Sequence, residues 1–311
     1  VIMGSVAGSF ANASTIVNNG MMVCDAAGVF TYAQNISGNG LIKTGNGAGT
    51  EIDITGDISG FTGSFDAFKD STVKLNTRLN DVVNLSHTGG AAGVIELNGD
   101  GTPQDVAINN TSNTTTGLTV FANWNNITIQ RNGKENSNVA GTIYLGGNDN
   151  AGAKDDVEVT LSAINATGGD SVGNIFFGGV NNVVSDGDDS DTNAVKVTAD
   201  TKYGVLVGGG QNSTVNGDIT FDIAAGAAGN EIIGAGDGNT VNGNVVINVN
   251  GGDADSVGNV FGGRSVHKVT GNININVNSG AVGNVYGIVN GNADGTSVQD
   301  IVINVSGGSV S

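Results

Sequence analysis

Two interleaved series of short alternating apolar segments recur at intervals of roughly 25–32 residues, in a chain rich in Gly and Asn and nearly free of Pro. Together they predict an all-β chain wound as a parallel β-helix, a β-solenoid.

The first series is clearest at 271–287, GNININVNSGAVGNVYG. Successive side chains of a strand point to opposite faces, so Ile273, Ile275 and Val277 share one face and Asn272, Asn274, Asn276 and Asn278 the other. Wound as a helix, the same residues would scatter their apolar side chains around the axis, and β-branched residues and Asn are mediocre helix formers. The segment reads as a half-buried strand. The pattern recurs at Val157, Val159 and Leu161; Val195 and Val197; Ile219, Phe221 and Ile223; Val245, Ile247 and Val249; and Ile301, Ile303 and Val305. Phe221, Ile247, Ile275 and Ile303 hold the same place in successive copies, at a nearly constant interval.

The second series runs GTIYLGG from Gly141, GNIFFGG from Gly173, GVLVGGG from Gly204, GNEIIGAG from Gly229, GNVFGG from Gly258 and GNVYG from Gly283. Its members follow one another at a similar interval, so each repeat holds two short strands, with room in some for a third. Propeller blades and leucine-rich repeats carry other signatures and spacings. A unit of two or three short strands without a helix suits one coil of a β-helix, stacked on the next at about 4.8 Å. Ile and Val then fill the interior, Asn on the outside can form amide ladders along the axis, and Gly and Asn turn the corners. About a dozen such coils make a rod of roughly 50–60 Å.

Composition agrees. The 311 residues include 53 Gly and 43 Asn but one Pro, and no stretch of Ala, Leu, Glu and Lys long enough for a helix. Apolar residues make up 38%, and their regular placement distinguishes a folded chain from a disordered Gly-rich one. The net charge of -18 comes mainly from Asp, and the only Arg residues are Arg78, Arg131 and Arg264. Nucleic acid is therefore not an expected partner, since binding it needs Lys and Arg to displace counterions. The single Cys24 excludes an internal disulfide framework and reads as a small core residue. No apolar run is long enough for a transmembrane helix, so no direct membrane span is expected, and the start at Val1 shows no secretion signal.

Residues 1–133 follow the same idiom less regularly, and 134–311 carry the regular GNVYGG-type repeats, the two parts being expected to form one continuous stack. Within the first part, ISGNGLIKTGNGAGTEIDITGDISGFTGSF stands out: Gly38, Gly40, Leu41, Lys43, Thr44, Gly45, Gly47 and Thr50, a strand with Ile52 and Ile54, then Phe61, Thr62 and Gly63. This run, with the STIVNNGMMV that precedes it, resembles the repeats in the passenger regions of bacterial autotransporter proteins. The GNVYG repeats are similar, more loosely, to those of other large secreted bacterial repeat proteins. The resemblance implies a right-handed parallel β-helix exported to the bacterial surface, often as an adhesin. The right-handed rule for parallel crossovers points the same way. An autotransporter ends in a membrane-embedded β-barrel, whereas this sequence is still in its repeat idiom at Ser311.

Other β-helices cleave polysaccharides, so chemistry has to be sought residue by residue. Glycoside cleavage needs two positioned carboxylates, and polyuronate lyases need acidic calcium ligands with a basic residue. Asp is plentiful, but the supporting groups are few: His87, His267, three Arg, Trp124 and four Tyr. Both His residues read as solvated turns, His267 beside Arg264 and Lys268, and no G-x-S-x-G elbow marks a nucleophile. The run VSDGDDSDTN, with Asp186, Asp188, Asp189 and Asp191, is the candidate for calcium, although it lacks the EF-hand Gly and Glu and reads first as a solvated loop. The Thr residues of INNTSNTTTGLTV are adjacent rather than spaced by two, so they do not form a flat water-ordering array, and sequons such as those at Asn110 and Asn113 arise by chance.

The expectation is a non-enzymatic structural or adhesive rod, extracellular and on the bacterial cell surface, with no catalytic, cofactor or metal residues assigned. Its expected partners are other copies through the solenoid ends or edges, and a host, matrix or glycan surface. VIMGSVAGSF begins apolar and IVINVSGGSVS stays in repeat idiom, a pattern that suits either ends that stack head to tail into filaments or a layer, or a piece of a longer rod. The competing reading is a carbohydrate-active β-helix, a depolymerase or glycan-binding spike, which a cleft lined by carboxylates and aromatic residues on adjacent coils would favour.

Overall fold

A computed structural model describes residues 2–3, 13–87, 92–102, 104–110, 117–131, 141–148, 158–161, 172–180, 192–197, 202–236, 238–250, 257–264, 268–289 and 298–311. Every regular element among them is a β-strand. Two 13-stranded parallel sheets run the length of the stack. The first begins with Ile2–Met3 and Met21–Cys24 and ends with Val245–Asn250, Ile273–Ser279 and Ile301–Val305. The second begins with Gly28–Tyr32 and Thr50–Ile54 and ends with Val257–Arg264, Ala281–Val282 and Ser309–Val310, with Val285–Val289 also paired to Val257–Arg264. The chain is thus a parallel β-solenoid whose coils each contribute a strand to both sheets. At the usual strand spacing the twelve steps of the first sheet span about 58 Å.

The two sheets correspond to the two series read from the sequence. In the first, Phe221, Ile247, Ile275 and Ile303 stack in register, flanked by the columns Ile219, Val245, Ile273, Ile301 and Ile223, Val249, Val277, Val305. In the second, Ile143, Ile175, Leu206, Ile232, Val260 and Val285 form the facing column. Apart from Ile301, Ile303 and Val305 in the last strand, their side chains meet in one core along the rod. Burial of each such side chain stabilises the fold by about 1.5–3 kcal/mol.

Coil length varies around this constant core. Met21 pairs with Leu41 and Ser64 with Asn84, whereas Val159 pairs with the much more distant Val195. The paired strands keep an in-register parallel alignment across these unequal spacings. Among the described residues a short third side exists at two places, in the sheet of Thr15–Val17, Asn35–Gly38 and Gly60–Phe61 and in that of Thr214–Asn216, Thr240–Asn242 and Lys268–Val269.

Two features depart from a simple apolar-in, polar-out rule. Phe121, Tyr144, Phe176, Val207, Ile233 and Phe261 follow the interior column by one residue, so they point outward, yet they are buried in a second apolar cluster. Phe121, Tyr144 and Phe176 stack with ring centroids 5.0 and 4.9 Å apart, and Tyr286 stacks on Phe261 at 5.0 Å. The second feature is register: the structure sets Tyr203, not Gly204, beside Gly229. A Cβ at Gly229 would collide with the Tyr203 ring, so this position is glycine because an aromatic ring lies across its backbone.

Candidate functional site

The outer faces carry the axial amide ladders expected of the Asn positions. Asn248 Nδ2 donates to Asp222 Oδ1 (2.7 Å), Asn276 Nδ2 to Asn248 Oδ1 (2.9 Å) and Asn304 Nδ2 to Asn276 Oδ1 (2.9 Å). A parallel ladder joins Asn76 to Asp53 (2.7 Å) and Asn98 to Asn76 (2.7 Å). A third uses backbone donors, Asn244 N–H to Asp218 Oδ1 (2.7 Å) and Asn272 N–H to Asn244 Oδ1 (2.8 Å). Each of these bonds is donated toward the amino end, and Asn76, Asn244, Asn248 and Asn276 in turn accept from the following coil. The leading member in all three is Asp, which needs only to accept.

The two ends of the stack differ, although the sequence reads them alike. At the amino end Ile16, Met22 and Phe30 of the first coil are buried, and Ile2–Met3 adds a strand over Val23 and Cys24. At the other end Ile301, Ile303 and Val305 are 43%, 43% and 50% exposed, although Ile273, Ile275 and Val277, one coil earlier, are fully buried.

Of the residues singled out in the sequence, His87 is the clearest correction. It is not a solvated turn but wholly buried, and its Nδ1–H donates to Asp66 Oδ1 at 2.8 Å. Lys43 Nζ lies 3.8 Å from Asp66 Oδ2 and 5.7 Å from the Phe68 ring, which also faces His87. Asp66 and His87 are buried and Lys43 is half-buried, so the three form a polar lock that ties adjacent coils together. Cys24 is buried as expected, and Tyr32 Oη lies 3.1 Å from its Sγ; burial pushes both groups above their ordinary pKa. Trp124 is in the core, and Arg264 pairs with Glu231 and covers the Phe261 ring. His267, Asn113 and the Asp186–Asp191 run lie outside the described residues. Among the described residues no three His, Cys, Asp or Glu side chains gather in a way that could hold a metal ion.

A groove of about 630 Å³ opens on the amino-terminal half, where the first short third sheet stops at Gly60–Phe61. Asp57, Arg78, Asp81, Val82, Asn84 and Asn109 line it over Phe61 and Leu79. Ser59 N–H and Ser59 Oγ each donate to an Asp57 carboxylate oxygen at 2.9 Å, which holds that carboxyl below its ordinary range. Asn80 Nδ2 donates to Ile58 O (3.0 Å) and Phe61 O (2.7 Å), and Asn84 Nδ2 to Thr62 O (3.1 Å), so the floor is tied to the preceding coil. Arg78 is 74% exposed and 3.8 Å from Asp100. The groove is not foreseen from the sequence, because its residues come from three coils and the central segment, TRLND, carries no signal beyond one of the chain's three Arg residues near an Asp.

No family model, no curated protein and no solved structure matches this chain.

Proposed function

We propose that the chain is a non-enzymatic structural or adhesive rod, displayed outside the cell on a bacterial surface, as the resemblance of residues 36–65 to autotransporter passengers implies. The observation that carries the reading is the run of axial ladders on the outer face, from Asp222 through Asn248 and Asn276 to Asn304. Amide ladders and continuous parallel sheets tie each coil to the next, an arrangement suited to extension and stiffness rather than to a deep reactive cleft. Assembly proceeds in this reading through the exposed row Ile301, Ile303 and Val305, on which a further coil or a second copy would stack.

Electron microscopy and sedimentation of the purified chain test it, in calcium and in chelator, beside an Ile301→Lys/Ile303→Lys variant. Slender rods are expected, with end-joined multiples that the variant loses. Compact particles, or release of new reducing ends from polysaccharide, would overturn the reading. Dependence of the multiples on calcium would assign the Asp186–Asp191 run a metal.

A further inference from the structure

We propose that the groove beside Val82 is a binding site for a neutral oligosaccharide. The proposal deepens the adhesive reading and rests on it. Between Phe30 and Val285, Val82 is the one large apolar side chain among the described residues that is exposed, at 42%. Among the described residues of that stretch the other large apolar side chains are covered, and this one is left open beside charged and amide groups. The volume of about 630 Å³ lies within the range of small-ligand sites.

The chemistry of the walls selects the ligand. Asp57 is held by Ser59, and Asp81 lines the same groove from the next coil; both carboxylates can accept hydrogen bonds. Arg78 donates, its guanidinium being largely in solvent and only loosely paired with Asp100. Asn84 and Asn109 are held in line, Asn109 Nδ2 donating to Asn84 Oδ1 at 3.4 Å. A sugar ring meets all of these at once: its hydroxyls both donate and accept, and its C–H face covers Val82.

Competing ligands fit less well. Polyanions meet two carboxylates on a chain of net charge -18. An extended peptide cannot simply continue the sheet that ends at Gly60–Phe61, because the carbonyls of Ile58, Phe61 and Thr62 already accept from Asn80 and Asn84. Cleavage is not expected either, because a glycosidase keeps its acid carboxyl in a shielded site, and Asp57 and Asp81 are both exposed.

The test is binding of the full chain to an array of neutral hexose oligosaccharides, with sulfated and uronate-bearing oligomers as controls. Asp81→Asn, Arg78→Ala and Val82→Ser, all at exposed positions, are compared with Lys268→Ala on the other half of the rod. The expected result is retention of neutral oligomers only, weakened about tenfold or more by Asp81→Asn or Arg78→Ala and unchanged by Lys268→Ala. Binding that is indifferent to the three groove variants would overturn the site. Absence of neutral-glycan binding by a chain that still forms rods would overturn this proposal and leave the structural reading standing. Binding followed by cleavage would keep the site and overturn the non-enzymatic reading instead.

Discussion

Asp222→Asn and Asn248→Asp exchange the same two groups in opposite directions, and the polarity of the ladder makes their costs unequal. Asp222 only accepts, from Asn248 Nδ2 at 2.7 Å, while Asn248 both donates and accepts. Asn in place of Asp222 can still present an oxygen to Asn248, so only the charge assistance is lost, about 0.5–1 kcal/mol. Asp in place of Asn248 removes the donor, worth about 1.5–3 kcal/mol when the acceptor is charged. It also sets two carboxylates about 3 Å apart, a repulsion of about 1.4 kcal/mol at the dielectric constant of water. Both positions are half-buried and Lys196 is the register partner of Asp222, so the lower figures apply. The expected costs are therefore about 3 kcal/mol for Asn248→Asp and under about 1 kcal/mol for Asp222→Asn.

Urea unfolding followed by circular dichroism reads both. Close carboxylates share a proton more readily than an isolated one takes it up, so the folded Asn248→Asp chain binds a proton more tightly than the unfolded chain. Its deficit should be full at neutral pH and shrink on acidification, whereas Asp222→Asn should show no such recovery. Equal costs for the two exchanges, or a deficit independent of pH, would refute the directional ladder.

Tyr203 places a phenol in the core with no hydrogen-bond partner for its hydroxyl among the described residues, and burial raises its pKa. Tyr203→Phe should be neutral or stabilising by up to about 1 kcal/mol, and Gly229→Ala should cost about 1–3 kcal/mol through collision with the ring, both read from thermal unfolding. The buried pair gives a coupled prediction. His87→Phe or Asp66→Val alone should cost about 3–5 kcal/mol by leaving one polar partner unmatched, and the double replacement should cost less than the two singles together. A strictly additive double-mutant cycle would show that the His87–Asp66 contact contributes no coupling.

Local pattern made much of this chain legible in its sequence. The two-residue alternation of Ile273, Ile275 and Val277 with Asn determined the strand, its buried face and its ladder-bearing face, because side-chain direction in a strand follows from the backbone alone. The spacing of two such series determined a parallel β-solenoid, since at that period stacked coils bury the apolar faces of the two series against each other. Partners across the stack are another matter, for they lie far apart in the chain, as Val159 and Val195 do, and depend on how each turn closes. Only the tertiary structure therefore placed Tyr203 over Gly229, lined up Phe121, Tyr144 and Phe176 as an outer column, and buried His87 against Asp66. It alone brought Asp57 and Asp81 to one groove, because that notch exists where a third strand stops, an event that leaves no periodic trace in the residues around it.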